Sequence, residues 1–275
     1  MSLHNHAKRV LTSILLLPLL ILIIYVGNGW LFNILITLCI LICLREFYAL
    51  MDQGDISCFK LSAMVLGVVV ALAFWSKKIE WVLLALTASG LILFLNALIT
   101  SSPLSKTIPR VSATFFGLFY IPWMMGFLML IRGLKGGRYL IFFILALIWS
   151  GDTLAYYTGT LFGRHPLCRN ISPKKTVEGM VGGLMGSVIA AFCLGPFWLP
   201  EISLLSYPLI GLAVGTFGQL GDLSESVLKR WAGAKESGAI LPGHGGLLDR
   251  IDGLIFSAPV FYYYLILSAL GRKGF

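Results

Sequence analysis

Two stretches of this 275-residue chain gather side chains able to hold a metal ion and a phosphate together. In the first, Asp222, Ser226 and Lys229 recur at i, i+4 and i+7. That spacing sets them on one stripe if the helix they end continues. A carboxylate, a hydroxyl and an ammonium so placed suit a metal with a phosphate; the plainer alternative is a solvated helix end with an Asp/Lys pair. Beyond them lie Arg230, Lys235, Glu236, His244, Asp249, Arg250 and Asp252. Asp249 and Asp252, at i and i+3, open the last apolar run, where carboxylates also serve as simple helix caps. The turn before them holds Pro242, Gly243, Gly245 and Gly246, a backbone tight enough to offer N–H groups to an anion.

The second stretch begins inside an apolar run. Counted from Tyr139, Asp152 lies about 20 Å into a bilayer. Such a carboxylate must face a polar cavity or a partner, and Tyr156 at i+4 shares its wall. A basic loop, FGRHPLCRNISPKKTVEG over 162–179, follows and brings Lys174, Lys175, Thr176 and Glu178 to a helix entrance. Ser172 or Thr176 would cap that helix, and a helix N-terminus beside two lysines is also a ready phosphate site. His165 and His244 have no His/Cys partners at zinc spacing, so zinc is not expected; His244 is read as a hydrogen-bonding group of the loop or of a phosphate. Acidic metal ligands beside basic phosphate ligands in an apolar chain suggest Mg²⁺-dependent phosphoryl or nucleotidyl transfer to a lipid.

The elements that must position these groups are membrane helices. The chain is 58% hydrophobic and 12% charged, which excludes a soluble domain. Each charge at a bilayer centre costs roughly 2.5–3.5 kcal/mol, so the charged clusters need a use. The expected fold is all-α and polytopic, with about nine spans near 10–27, 30–50, 61–76, 80–99, 111–131, 139–163, 177–199, 203–222 and 253–271. The first resembles a signal peptide but has no small-residue cleavage site after Val26, and reads as a retained helix. Lys and Arg are about twice as frequent in the loops on the N-terminal side. The N-terminus and the 222–252 loop are therefore expected in the cytoplasm, in a multi-pass protein of the inner (plasma) membrane.

The net charge of +9 points to anionic partners, which membrane lipids alone would satisfy. Cys39, Cys43, Cys58, Cys168 and Cys193 show no CxxC spacing and predict neither disulfide nor metal. A division near residue 139 is expected, with about five N-terminal helices over 1–138 and a catalytic region over 139–275. Arg45 and Glu46 end the second span and read as snorkelling side chains. Gly179/Gly183, Gly182/Gly186 and Gly211/Gly215 predict close helix packing, with a homodimer interface as the lesser alternative. An anion transporter would need polar groups reaching both faces, yet loop 198–203 is nearly uncharged, and no internal repeat is visible.

Ser226-x-Leu-Lys229-Arg230, Lys235-Glu236 and Pro242-x-His244-Gly245-Gly246-x-x-Asp249-Arg250-x-Asp252 together resemble the C-terminal signature of CDP-diacylglycerol synthases (phosphatidate cytidylyltransferases). Ser150-Gly151-Asp152-x-x-Ala155-Tyr156, Phe162-Gly163-Arg164 and Ser172-Pro173-Lys174-Lys175-Thr176-x-Glu178-Gly179 are similar to the same family, so the resemblance covers about 139–270. Glu236 stands where the family usually has Asp, and Val177 where Trp is frequent. The resemblance implies conversion of CTP and phosphatidate to CDP-diacylglycerol and pyrophosphate with Mg²⁺ and a second cation such as K⁺, with no nucleic acid as partner. It implies metal binding by Asp222, Asp249 and Asp252, with Ser226 nearby and Asp152 as a supporting cavity carboxylate. Lys174, Lys175, Thr176, Glu178, Lys229, Arg230, Lys235, His244, Gly245, Gly246 and Arg250 would serve substrate phosphates. A CTP-dependent polyprenol kinase or another lipid-phosphate transferase is the near alternative.

Overall fold

Long apolar segments in lipid must satisfy their backbone groups internally, and helices do so. The structure, a computed structural model, describes residues 14, 17–100, 103–240, 243 and 245–270. After a helical stretch over 17–25 come α1 (Gly29–Gln53), α2 (Lys60–Trp75), α3 (Ile79–Ile99), α4 (Leu104–Leu118) and α5 (Met124–Gly133). The chain continues through α6 (Gly137–Phe162), α7 (Val177–Trp198), α8 (Ser206–Trp231) and α9 (Leu248–Leu270). A π-helical turn, Phe119–Trp123, joins α4 to α5. It contains Pro122, whose missing N–H and bulky ring break the regular i→i−4 ladder.

The all-α expectation holds, with one addition. The basic loop after α6 is a short antiparallel hairpin of β1 (Pro166–Cys168) and β2 (Ser172–Thr176), pairing Pro166 with Thr176 and Cys168 with Ser172.

The structure does not reproduce nine spans. Among the described residues, six helices are long and apolar enough to cross a membrane: Gly29–Gln53, Ile79–Ile99, Leu104–Gly133, Gly137–Phe162, Val177–Trp198 and Leu248–Ser268. Of the span expected at 10–27, residue 14 and residues 17–27 are described, with a helical stretch over 17–25; the rest lies outside the described residues. That at 61–76 is the 16-residue α2, about 24 Å long and short for a hydrocarbon core near 30 Å. The eighth is part of α8, whose 26 residues run on through Asp222, Glu225, Lys229 and Arg230.

The described chain groups into two units. One comprises the helices up to Gly133 with Leu228–Ile251; the other comprises Leu134–Val227 with the chain from Asp252 onward. In the first unit, buried Phe47, Tyr48 and Tyr120 cluster with the more exposed Phe116, neighbouring ring centroids lying 5.2–6.2 Å apart. The Tyr48 hydroxyl donates to the Thr114 carbonyl at 2.8 Å, as a buried phenol must find an acceptor. Cys58 lies buried in this unit, and burial pushes its thiol up to about 11.

In the second unit the glycine spacings do what they predict between helices of one chain. A Cβ on Gly182 would sit 2.0 Å from Thr158 Oγ1, and one on Gly186 would sit 2.6 Å from the Ser150 carbonyl oxygen, so α6 and α7 meet backbone to backbone. A Cβ on Gly211 would lie 2.7 Å from both the Ser187 carbonyl oxygen and Val188 Cα, which brings α8 equally close to α7.

Candidate functional site

In the second unit, β2 delivers Lys175 to Asp222 on α8, with Nζ 2.5 Å from Oδ2. The pair remains 30% and 40% exposed, so water or a substrate can compete for both groups. Asp152, on α6, lies close enough to feel the charges of Asp222 and Lys175. It lines a small cavity with Ser187 and Gln219, the polar surrounding that an intramembrane carboxylate requires. Ser187 Oγ donates to the Leu147 carbonyl at 3.0 Å and Gln219 Nε2 to the Met180 carbonyl at 3.0 Å. Tyr156, expected on the same wall, is instead exposed against Tyr157. Asp252 reaches this unit through its backbone: a Cβ on Gly221 would meet the Asp252 carbonyl oxygen at 2.4 Å, so the start of α9 abuts the residue preceding Asp222.

The hairpin carrying Lys174 and Lys175 is clasped at its base. Thr176 caps α7, its Oγ1 accepting from Gly179 N at 3.1 Å. Glu178, in the first turn, accepts from Arg164 N at 3.1 Å and His165 N at 3.3 Å, and its Oε1 lies 2.6 Å from His165 Nδ1. Glu178 thus closes the hairpin while Lys174 stays exposed.

The first unit holds the other cluster. α8 does continue past Asp222, as the stripe required. Lys229 Nζ lies 2.6 Å from Asp249 Oδ1, with the side chains only 12% and 8% exposed. Asp249 Oδ2 accepts from Ser237 N, Ser237 Oγ and Gly246 N, all at 2.9 Å. The glycine-rich turn therefore wraps a carboxylate of its own. Gly243 and Gly245 have φ of +78° and +79°, left-handed backbone that glycine enters without steric cost. Arg230, Lys235 and Arg250 are exposed, while Ser226, which belongs to the second unit, is buried. His244 falls outside the described residues.

Glu46 escaped the sequence reading. It is 3% exposed rather than snorkelling, and accepts from Leu247 N at 3.0 Å, Leu248 N at 2.8 Å and Ser237 Oγ at 3.3 Å. Its neighbours Phe47 and Tyr48 are buried as well, and a carboxylate amid such residues is the one signal the sequence offers.

Among the described residues, no three His, Cys, Asp or Glu side chains group as a metal-holding set. Mg²⁺ commonly takes one or two carboxylates, keeps several waters and completes its shell with substrate phosphates. Asp222, partly exposed and beside Asp152, fits that pattern. Asp249 is already engaged by Lys229, Ser237 and Gly246, which makes it the more encumbered of the expected metal ligands.

The chain matches the cytidylyltransferase family over residues 7–268, well beyond the 139–270 that carries the legible motifs. It is 31% identical to a phosphatidate cytidylyltransferase of Synechocystis sp., across 94% of this chain and 96% of that protein. It is 32% identical to a phosphatidate cytidylyltransferase of Staphylococcus epidermidis, across 94% of this chain and 98% of that one. An Escherichia coli protein named as uncharacterized, YnbB, is 38% identical over 68% of this chain, which spans 64% of that relative's length.

Proposed function

The chain belongs to the cytidylyltransferase family, and on that premise we propose that it transfers the cytidylyl group of CTP to phosphatidate within the membrane, giving CDP-diacylglycerol and pyrophosphate. The observation that carries this reading is the Lys175–Asp222 pair beside Asp152: phosphate-binding and metal-binding side chains, still reachable by solvent, on β2 and on helices of a unit whose α6 and α7 are long and apolar enough to cross a membrane.

Phosphatidate bears a phosphate monoester that is already anionic at neutral pH. Its oxygen attacks the α-phosphorus of CTP, and the bond to the pyrophosphate oxygen breaks. No strong general base is needed, in keeping with a site built from cations and carboxylates. Lys174 and Lys175, at the N-terminus of α7, bind phosphate oxygens, Lys175 exchanging Asp222 for the substrate. In the other unit, Asp249 orients Lys229, and we assign Lys229, Arg230, Lys235 and Arg250 to substrate phosphates. Asp222, with Asp152, would hold Mg²⁺, which supplies neutralisation of the charge developing on pyrophosphate. We place the reaction at the cytoplasmic face of the inner membrane, where CTP is found and where the basic loops belong.

Purified protein incubated with labelled CTP, phosphatidate and Mg²⁺, with and without K⁺, should release pyrophosphate and form a labelled CDP-lipid. A kinase would instead move the γ-phosphate and release CDP. Formation of no CDP-lipid with any divalent ion would defeat the proposal.

A further inference from the structure

Glu46 belongs to α1, about two hundred positions before the loop it touches. Its carboxylate accepts the N–H groups of Leu247 and Leu248, where α9 begins. The first N–H groups of a helix have no intrahelical acceptor, and a carboxylate there satisfies them while meeting the positive end of the helix dipole. This cap comes from a distant helix. The backbone closes tightly around it: a Cβ on Gly238 would stand 2.7 Å from Glu46 Oε1, and one on Gly246 would stand 2.7 Å from Oε2. Glycine at both places lets two turns of the loop press on one buried anion.

Ser237 joins that anion to the next. Its hydroxyl lies 3.3 Å from Glu46 Oε2 and 2.9 Å from Asp249 Oδ2, one proton serving two carboxylates. Asp249 in turn holds Lys229 at 2.6 Å. An unbroken line of polar contacts thus runs from Glu46 through Ser237 and Asp249 to Lys229. The loop's other hold on Asp249, the Gly246 N–H, lies between the two carboxylates. We infer that Glu46 is a positioning residue for cytidylyl transfer: it fixes Ser237 and the turn 246–248 and, through Ser237 and Gly246, sets where Asp249 holds Lys229. The inference rests on the assignment of Lys229 and Asp249 to that reaction.

Glu46→Gln keeps the shape but turns an NH₂ toward a backbone N–H. The expected result is a kcat at least tenfold lower, with faster hydrogen exchange confined to peptides over 237–249 and none gained over 177–198. Ser237→Ala should lower kcat in the same sense. The double variant should be no worse than the weaker-turnover single variant within about twofold, because both act along one line. Gly238→Ala, which crowds the carboxylate without altering its charge, gives a second route if Glu46→Gln fails to fold, and should reproduce both the exchange change and the lower kcat. Wild-type kcat in Glu46→Gln, or losses that simply multiply in the double variant, would overturn the role. Should the loop loosen in Glu46→Gln while Lys229→Ala keeps full turnover, the assignment of Lys229 to the reaction has failed, not the contact; with exchange unchanged, the contact itself has failed.

Discussion

The two lysine–carboxylate pairs differ in a way that predicts different phenotypes. Lys175 and Asp222 are about a third exposed, and surface pairs contribute only about 0–1 kcal/mol. Lys175→Ala and Asp222→Asn should therefore leave thermal unfolding in detergent nearly unchanged while lowering kcat by about 10²-fold, the scale for losing one charge-stabilising group. Lys229 and Asp249 are nearly buried, and removing one partner of such a pair costs about 3–5 kcal/mol. Asp249→Asn should thus lose stability as well as turnover, which parallel melting and activity measurements on the three single variants would reveal. If Lys175→Ala melted as early as Asp249→Asn, the distinction would be void. The sequence displays all four side chains, because charges amid apolar runs stand out. It cannot display their pairing: Asp222 and Lys229 share a helix spacing that suits a pair, yet each bonds to a residue from another element. Glu46 was illegible for a related reason. A carboxylate at the end of an apolar helix looks the same whether it turns to water or to a backbone two hundred residues away, and only tertiary packing decides.

At the scale of elements, the second unit depends on backbones that nearly touch. Gly211 faces the Ser187 carbonyl oxygen and Val188 Cα, both at 2.7 Å from a would-be Cβ, and backbone atoms cannot swing aside as a side chain can. Gly211→Val should force α8 from α7 and cost about 1–3 kcal/mol, as overpacked cores do. Gly29→Ala, with nothing within 4 Å, should be neutral or slightly stabilising. Equal melting temperatures for the two variants would argue against the α7–α8 contact. These packings were legible because small residues four apart have one main use in lipid. The hairpin over 166–176 was not, since its strands are only three and five residues long and carry basic groups rather than an alternating apolar pattern. The count of nine spans is not confirmed, and the extent of α8 was not legible either. Hydropathy ends a helix at its first charges, whereas α8 carries its hydrogen-bond ladder past Asp222 to Trp231.

For the whole molecule, the decisive quantity is which side of the membrane each loop occupies. α7 has 22 residues, about 33 Å at 1.5 Å each, enough to cross a hydrocarbon core of about 30 Å. Its two ends must then lie on opposite sides. The segment 163–176 before it, which includes the hairpin, carries Arg164, Arg169, Lys174 and Lys175, while the segment 199–205 after it has Glu201 and no Lys or Arg. By the positive-inside rule the hairpin, and Lys175 with it, is expected in the cytoplasm. Cysteine introduced as Arg169→Cys, in a background with the five native cysteines replaced, should react with an impermeant maleimide only in inside-out vesicles. Glu201→Cys should react only in right-side-out ones. Labelling of both positions from one side would mean that α7 does not span. Labelling of each from the reverse side would mean that Lys175 and Asp222 face away from CTP, and the reaction proposed for them could not proceed where its nucleotide is found.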